Sequence, residues 1–166
     1  NGMRSDGIPY EGILYAGVML TGQGPKVIEF NCRFGDPETQ VVLPRLRTDL
    51  IDIIHNTVTN NLENTSIDLI DNTAITVVIA SKGYPGTFKK GIKLPSLNKF
   101  DKEENIIVFH SGTAKNENEN LISSGGRVLS VTAIGENVQD CRQKAYNAVE
   151  DINWNKGFYR RDIGKV

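Results

Sequence analysis

The sequence is poor in everything that staples or anchors a small chain. Its 166 residues include two cysteines, Cys32 and Cys141. They lie far apart and lack metal-site spacing, which excludes a disulfide framework and a cysteine-based zinc site. Both are read as free thiols in a reducing, cytoplasmic compartment. An excess of charge of one sign is missing too. The 19 basic and 20 acidic residues leave a net charge of -1, so no field draws the chain to nucleic acid or to an anionic membrane. The longest apolar runs, such as 75–80, fall far short of the roughly 20 residues that a bilayer span needs. No charged-then-apolar leader opens the sequence. Residue 1 is Asn rather than Met, and the polar, glycine-bearing opening 1–7 reads as a loop cut from something longer. No internal repeat is visible. His55 and His110 have neither a nucleophile nor a second ligand at metal spacing beside them, so neither is taken as catalytic.

What is present suits one domain, or one small domain plus a piece of another. A compact chain of this size buries about 70% of its unfolded surface, enough for a core without staples. Residues 10–20 are rich in β-branched, aromatic and small apolar side chains and predict a buried strand. Two glycines and a proline in 21–25 mark a turn, and 26–33 predicts a second strand, making a hairpin. Pro37 fits the first turn of a helix running to Pro44 or Leu46. Thr48 or Asp49 caps another, with Leu50, Ile53, Ile54 and Val58 at helical spacing. Residues 60–72 read as a loop or frayed helix end. Beyond them come strands at 73–81, 92–94, 105–110 and 127–133. The stretch 83–86 is a glycine-bearing turn without the lysine and spacing of a P-loop. A helix over 136–152 places Val138, Cys141, Ala145, Ala148, Val149 and Ile152 on one face and closes the fold. The division predicted is 1–72 followed by 73–166, each of α+β character.

The chemistry concentrates on one strand. Side chains alternate across a strand, so within 27–33 Ile28, Phe30 and Cys32 point one way to pack, and Glu29, Asn31 and Arg33 point the other. Same-face neighbours lie about 7 Å apart, so an ion and a phosphate chain can both touch this row. Mg²⁺ takes oxygen ligands, usually one or two carboxylates, with phosphates and water completing its shell. Glu29 offers a charged ligand and Asn31 a neutral one. Arg33 offers a planar fork for phosphate oxygens, and its charge suits a phosphoryl group in transfer. Asp36 is placed to cap the helix expected at Pro37, and Glu38 sits in its first turn, near the positive dipole end. The same pattern also describes a solvated sheet face with a weak ion pair, a plain N-cap at Asp36 and a dipole-complementing Glu38. The Arg160-Arg161 pair reads as a solvated terminal charge cluster, with phosphate contact as the alternative.

The strings Tyr-Glu-Gly-Ile-Leu-Tyr-Ala-Gly-Val-Met-Leu-Thr at 10–21 and Gly-Pro-Lys-Val-Ile-Glu-Phe-Asn-Cys-Arg-Phe-Gly-Asp-Pro-Glu-Thr-Gln at 24–40 resemble the end of the ATP-grasp domain of the phosphoribosylamine–glycine ligase family. Many ATP-grasp enzymes carry Glu-x-Asn-x-Arg; its continuation into Phe-Gly-Asp-Pro-Glu is specific to this family. The resemblance continues through Gly-Tyr-Pro-Gly at 83–86, Val-Phe-His-Ser-Gly-Thr at 108–113, Gly-Gly-Arg-Val-Leu at 125–129 and Tyr-Arg-Arg-Asp-Ile-Gly at 159–164. Ser111 departs from the alanine expected there. The resemblance implies the C-terminal piece of an ATP-grasp domain, of antiparallel strands plus helices, then a small β-rich C-domain with a closing helix. It implies ligation of glycine to 5-phosphoribosylamine with ATP as co-substrate, Mg²⁺ or Mn²⁺ as metal, and a monomer. It makes Glu29 and Asn31 metal ligands and Arg33 the contact to the transferred phosphoryl group. Gly35, Asp36 and Pro37 then line the acceptor side. The N-terminal domain, the adenine pocket and the phosphate-covering loop are expected upstream, so the 166 residues alone are expected to be inactive. The rival readings are another ATP-grasp carboxylate–amine ligase and a β-rich domain that binds a partner protein without catalysis.

Overall fold

The computed structural model describes residues 2–165. It comprises two compact units, one of residues up to 39 together with 46–70, the other of 40–45 and the chain from 71 onward. The first unit contains a short helix α1 (Gly2–Ser5), the hairpin strands β1 (Tyr15–Thr21) and β2 (Gly24–Asn31), and the helix α3 (Leu50–Val58). The short helix α2 (Thr39–Val42) and a 3₁₀ turn (Leu43–Arg45) lie between β2 and α3 in the chain. Asp49 caps α3 by accepting from the Ile51 N–H at 2.8 Å. Residues 60–72 are loop with one 3₁₀ turn, Leu62–Asn64, and a bridge from Leu69 to Leu46.

The second unit is built on a four-stranded antiparallel sheet in the order β4-β7-β3-β8, where β3 is Thr73–Ser81, β4 Ile106–His110, β7 Arg127–Gly135 and β8 Gly157–Phe158. A small second pair joins β5 (Thr113–Lys115) to β6 (Leu121–Ser123). β7 pairs on both edges, with Val131 opposite Val77 on β3 and Val108 on β4. The β-branched run of β3 sends Ile75, Val77 and Ile79 into the core. The helix α4 (Val138–Ile152) adds Cys141, Ala145, Ala148, Val149 and Ile152 to that same core. This is the apolar face expected from its spacing. Asn137 caps it, accepting from the Asp140 N–H at 2.9 Å. In the sheet, Thr76 stands opposite Thr132. The Thr132 hydroxyl lies 2.9 Å from the Thr76 hydroxyl and 2.9 Å from the Gln40 carbonyl, which ties segment 40–45 to this unit. Both thiols are free, and burial pushes the Cys141 thiol up. Among the described residues no helix is long and apolar enough to cross a membrane.

Several expectations need correction. The stretch 10–20 is not a buried strand: β1 starts at Tyr15, and only Gly17 in it is buried. A two-stranded ribbon has no second layer of its own to cover it. For the same reason the face meant to pack is open, with Ile28 64% and Phe30 63% exposed. β2 ends at Asn31, so Arg33 lies in a bend beyond it. No helix starts at Pro37. A cis peptide joins Asp36 to Pro37 within a turn, and α2, only four residues long, begins at Thr39. Asp36 therefore stands too far ahead of α2 to be its cap. Residues 92–94 form a single bridge, from Lys93 to Ile122, rather than a strand. The strands β5, β6 and β8 were not expected. The turn at 83–86 is a turn, and a Cβ at Gly83, whose φ is +99, would collide with the Thr87 carbonyl oxygen.

Leu129 on β7 is fully buried within the core. Leu129→Ala should destabilise the second unit by about 2–5 kcal/mol, because the cavity left there is walled by paired strands. Denaturant titration read by the fluorescence of Trp154, buried in the same core, measures this. A loss within about 0.5 kcal/mol, the size seen at exposed positions, would contradict the packing described.

Candidate metal and phosphate site on the first hairpin

The hairpin is closed by Thr21 opposite Gly24, and Val18 pairs with Val27. Further along the register shifts: Gly17 pairs with Glu29 and Tyr15 with Asn31, leaving Ile28 as the extra residue of a β-bulge. Directly opposed residues share a face, so Tyr15, Gly17, Glu29 and Asn31 lie together. Gly17 has no side chain to compete for the space, and the Glu29 chain lies over it; a Cβ on Gly17 would stand 3.3 Å from Glu29 Cγ. The Asn31 amide Nδ2 donates to Glu29 Oε1 at 3.1 Å. That bond demonstrates the common face of Glu29 and Asn31. Arg33 is not the third member of the row. Its guanidinium donates to the Phe34 carbonyl at 3.3 Å, the long end of the N–H···O range.

Two residues outside the expected set join the site. The Tyr15 hydroxyl donates to Glu38 Oε1 at 3.2 Å. Glu38 itself folds over Gly35, where a Cβ would collide with its carboxylate. Gly35 is buried, Pro37 half-buried and Asp36 exposed. The turn 35–38 is thus fastened to β1 through one carboxylate, and the Thr39 N–H adds a bond to the Gly35 carbonyl at 3.1 Å. Glu38 therefore braces the turn, and the helix-dipole role expected of it does not arise. The signal for Tyr15 was in the hairpin, but counting back from the Thr21–Gly24 closure puts Phe30 opposite Tyr15. Only the bulge at Ile28 brings Asn31 there.

The donors fit a hard cation. The Asn31–Glu29 bond leaves the Asn31 Oδ1 and the second Glu29 oxygen as oxygen ligands, the kind Mg²⁺ and Mn²⁺ prefer. Among the described residues no group of three or more His, Cys, Asp or Glu side chains is placed to hold an ion. One carboxylate and one amide make a partial shell, of the sort completed by phosphate oxygens and water.

The acidic surroundings have a measurable effect on Tyr15. The hydrogen bond to Glu38, the Glu38 charge, partial desolvation and the Glu29 charge all hold the phenol proton, raising its pKa above the ordinary 10.0. The contribution of this proton to stability is therefore intact below pH 10 and is lost as pH rises through the folded value. Residue-resolved NMR titration of the tyrosine ring carbons should show Tyr15 ionising above 10.0. Glu38→Gln should bring that midpoint down, since it removes the negative charge that disfavours the phenolate. An unchanged midpoint in the variant would refute the contact.

Comparison with known proteins bears on this site and on the whole chain. The family described as phosphoribosylglycinamide synthetase, ATP-grasp (A) domain, matches residues 1–39, and the one described as phosphoribosylglycinamide synthetase, C domain, matches 74–166. The phosphoribosylamine–glycine ligase of Agrobacterium fabrum is 44% identical over 164 residues, covering 99% of this chain and 38% of the relative. The trifunctional purine biosynthetic protein adenosine-3 of Gallus gallus is 50% identical over 165 residues, covering 99% of this chain and 16% of the relative. The crystal structure of phosphoribosylamine–glycine ligase from Thermotoga maritima superposes with a TM-score of 0.74 at 32% identity, over 97% of this chain and 39% of that one. The chain thus spans less than two-fifths of the length of these relatives. With the C-domain match alone covering more than half of its residues, the chain belongs to the phosphoribosylglycinamide synthetase family.

Proposed function

We propose that this chain forms the metal- and phosphate-holding side of an ATP-dependent carbon–nitrogen ligase of purine synthesis. The enzyme joins glycine to 5-phosphoribosylamine and releases glycinamide ribonucleotide, ADP and phosphate. The observation that carries the reading is the Glu29–Asn31 pair, hydrogen-bonded on one face of β2 inside the stretch matched by the ATP-grasp family. In the reaction ATP phosphorylates the glycine carboxylate. The amine of phosphoribosylamine then attacks the acyl carbon, forming the amide bond, and phosphate leaves.

Glu29 and Asn31 hold Mg²⁺ or Mn²⁺ in this reading. When bound, the ion supplies positive charge to the phosphate oxygens. Arg33 adds a second positive charge. Among the described residues its guanidinium makes only the long bond to the Phe34 carbonyl, and a phosphate dianion is a far stronger acceptor than a neutral carbonyl. Gly35, Asp36 and Pro37 line the acceptor side on the turn that Tyr15 and Glu38 brace. Residues 1–72 belong to the ATP-grasp domain and 73–166 to the C-domain. The protein works in the cytoplasm, as a monomer, on small molecules alone.

In the full-length ligase, Glu29→Ala should lower kcat/KM by about a hundredfold or more and raise the metal concentration needed for half-activity. Coupled ADP assays across a magnesium series measure both. Unchanged activity and metal dependence would remove Glu29 from the site. The 166 residues by themselves should form no ADP from ATP, glycine and phosphoribosylamine, because a chain with less than two-fifths of its relatives' length carries one wall of the site.

A further inference from the structure

The carbonyl of Gln40 carries a bond that its own helix cannot supply. In an α-helix that carbonyl would accept from the N–H of residue 44. Residue 44 is Pro, which has no N–H. The helix α2 accordingly stops at Val42, and the chain goes on as a 3₁₀ turn. A donor from far along the chain stands in: the Thr132 hydroxyl lies 2.9 Å from the Gln40 carbonyl oxygen. The Thr76 hydroxyl, opposite on β3, lies 2.9 Å from that of Thr132. Thr132 has one hydroxyl proton, and a carbonyl can only accept. That proton therefore goes to Gln40, and the Thr76 hydroxyl donates to Thr132. Two threonines paired across the sheet thus form a short line of bonds ending on one carbonyl.

This peg takes its position from the central sheet. Thr132 is fully buried, and β7 is paired on both edges there, with Thr132 opposite Thr76 on β3 and Ile107 on β4. The carbonyl it holds stands two residues after Glu38 in the chain. At Glu38 the turn is held by the Tyr15 hydroxyl at 3.2 Å. Between the two holds lies Thr39, whose N–H and hydroxyl both donate to the Gly35 carbonyl. The turn 35–38 is therefore closed on itself by Thr39, tied at Glu38 and pegged just beyond its exit at Gln40. The peg matters because α2 is a single turn of helix, too short to hold itself together in water.

We propose that Thr132, with Thr76 behind it, is a positioning residue for the turn 35–38 in the ligase reaction. This rests on the reading above, in which Gly35, Asp36 and Pro37 line the acceptor side. Thr132 touches no substrate; it acts through the Gln40 peptide. Without its hydroxyl the Gln40 carbonyl loses a donor that Pro44 cannot replace, α2 frays, and the exit of the turn drifts. A misplacement of about 1 Å can cost about a hundredfold in rate. The Glu29–Asn31 pair is held by the hairpin register and by its own hydrogen bond. Metal use therefore does not depend on the peg, whereas acceptor handling does.

The test uses the full-length ligase and two substitutions of opposite kind. Thr132→Val nearly keeps the shape of the side chain and removes the hydroxyl. Thr132→Ser keeps the hydroxyl and removes the methyl group. Thr132→Val should lower kcat by about tenfold or more and leave the magnesium concentration for half-activity unchanged. It should also speed amide hydrogen exchange at 39–43 while the core amides of β3 and β7 stay protected. Thr132→Ser should keep kcat within about twofold of the parent, as expected when the positioning bond is retained. A role in packing alone would reverse the order, because Ser leaves the larger gap. If Thr132→Val does not fold, Thr76→Val, at a half-buried position, should show the same pattern in weaker form. Undiminished kcat in the valine variants, a greater loss in Thr132→Ser than in Thr132→Val, or a raised magnesium requirement would each overturn the proposal. Glu29→Ala, assayed alongside, separates the two ideas. Intact activity and metal dependence there would sink the reading of the site, whereas faster exchange at 39–43 with undiminished kcat in Thr132→Val would sink the positioning role alone.

Discussion

A strand paired on both edges and covered on both faces can offer nothing to water. From Val128 to Ala133, β7 is such a strand, lying between β3 on one side and β4 on the other. Its backbone groups need ladder partners and its buried side chains packing or hydrogen-bonding ones; on this strand the buried Ser130 hydroxyl is the exception, with no hydrogen-bond partner among the described residues. The second unit is arranged around that demand. One face receives the small-residue stripe of α4, where Ala145 and Ala148 allow the helix to approach. The polar residue Thr132 is admitted because Thr76 and the Gln40 carbonyl meet its hydroxyl. The tail then follows α4, held by hydrogen bonds from Arg142 to the Arg161 and Ile163 carbonyls and from Tyr146 to the Arg160 carbonyl.

The hairpin obeys a different constraint. Its polar row exists because of a single unpaired residue. Without the bulge at Ile28, Phe30 rather than Asn31 would stand opposite Tyr15. Bulges bend a strand and re-aim its side chains. Here the effect is to gather Tyr15, Glu29 and Asn31 on one face, close enough to the turn at Gly35 for Glu38 to reach back. The surface is rich in oxygen donors and short of positive charge, which suits an ion arriving with its own phosphate ligands.

Sequence alone made the strongly periodic elements legible. The β-branched run 73–81 gave β3 its limits, and the spacing of Cys141, Ala145, Ala148, Val149 and Ile152 gave the buried face of α4. Strands of two or three residues, β5, β6 and β8, have no period to read, and tertiary pairing alone defines them. Alternation placed Glu29 and Asn31 correctly because both lie inside β2. It failed at Arg33 because the strand stops at Asn31, which no residue type announces. Proline at position 37 fits a first helical turn and a tight turn equally, and the turn won. Tyr15 was hidden by register, which the bulge altered. The family's specific string, from Glu29 to Glu38, identified the chain where periodicity could not.

The Thr132–Gln40 bond also says where this fold can be cut. Read along the chain, a break near residue 72 separates two tidy pieces. In space, residues 40–45 travel with the later piece although the loop and helix that follow them do not. A shortened chain beginning at residue 73 would therefore uncover the hydroxyl side of the central sheet. The second unit is discontinuous in sequence, and its central sheet keeps the partner of the Thr132 hydroxyl only when the short segment 40–45 is present.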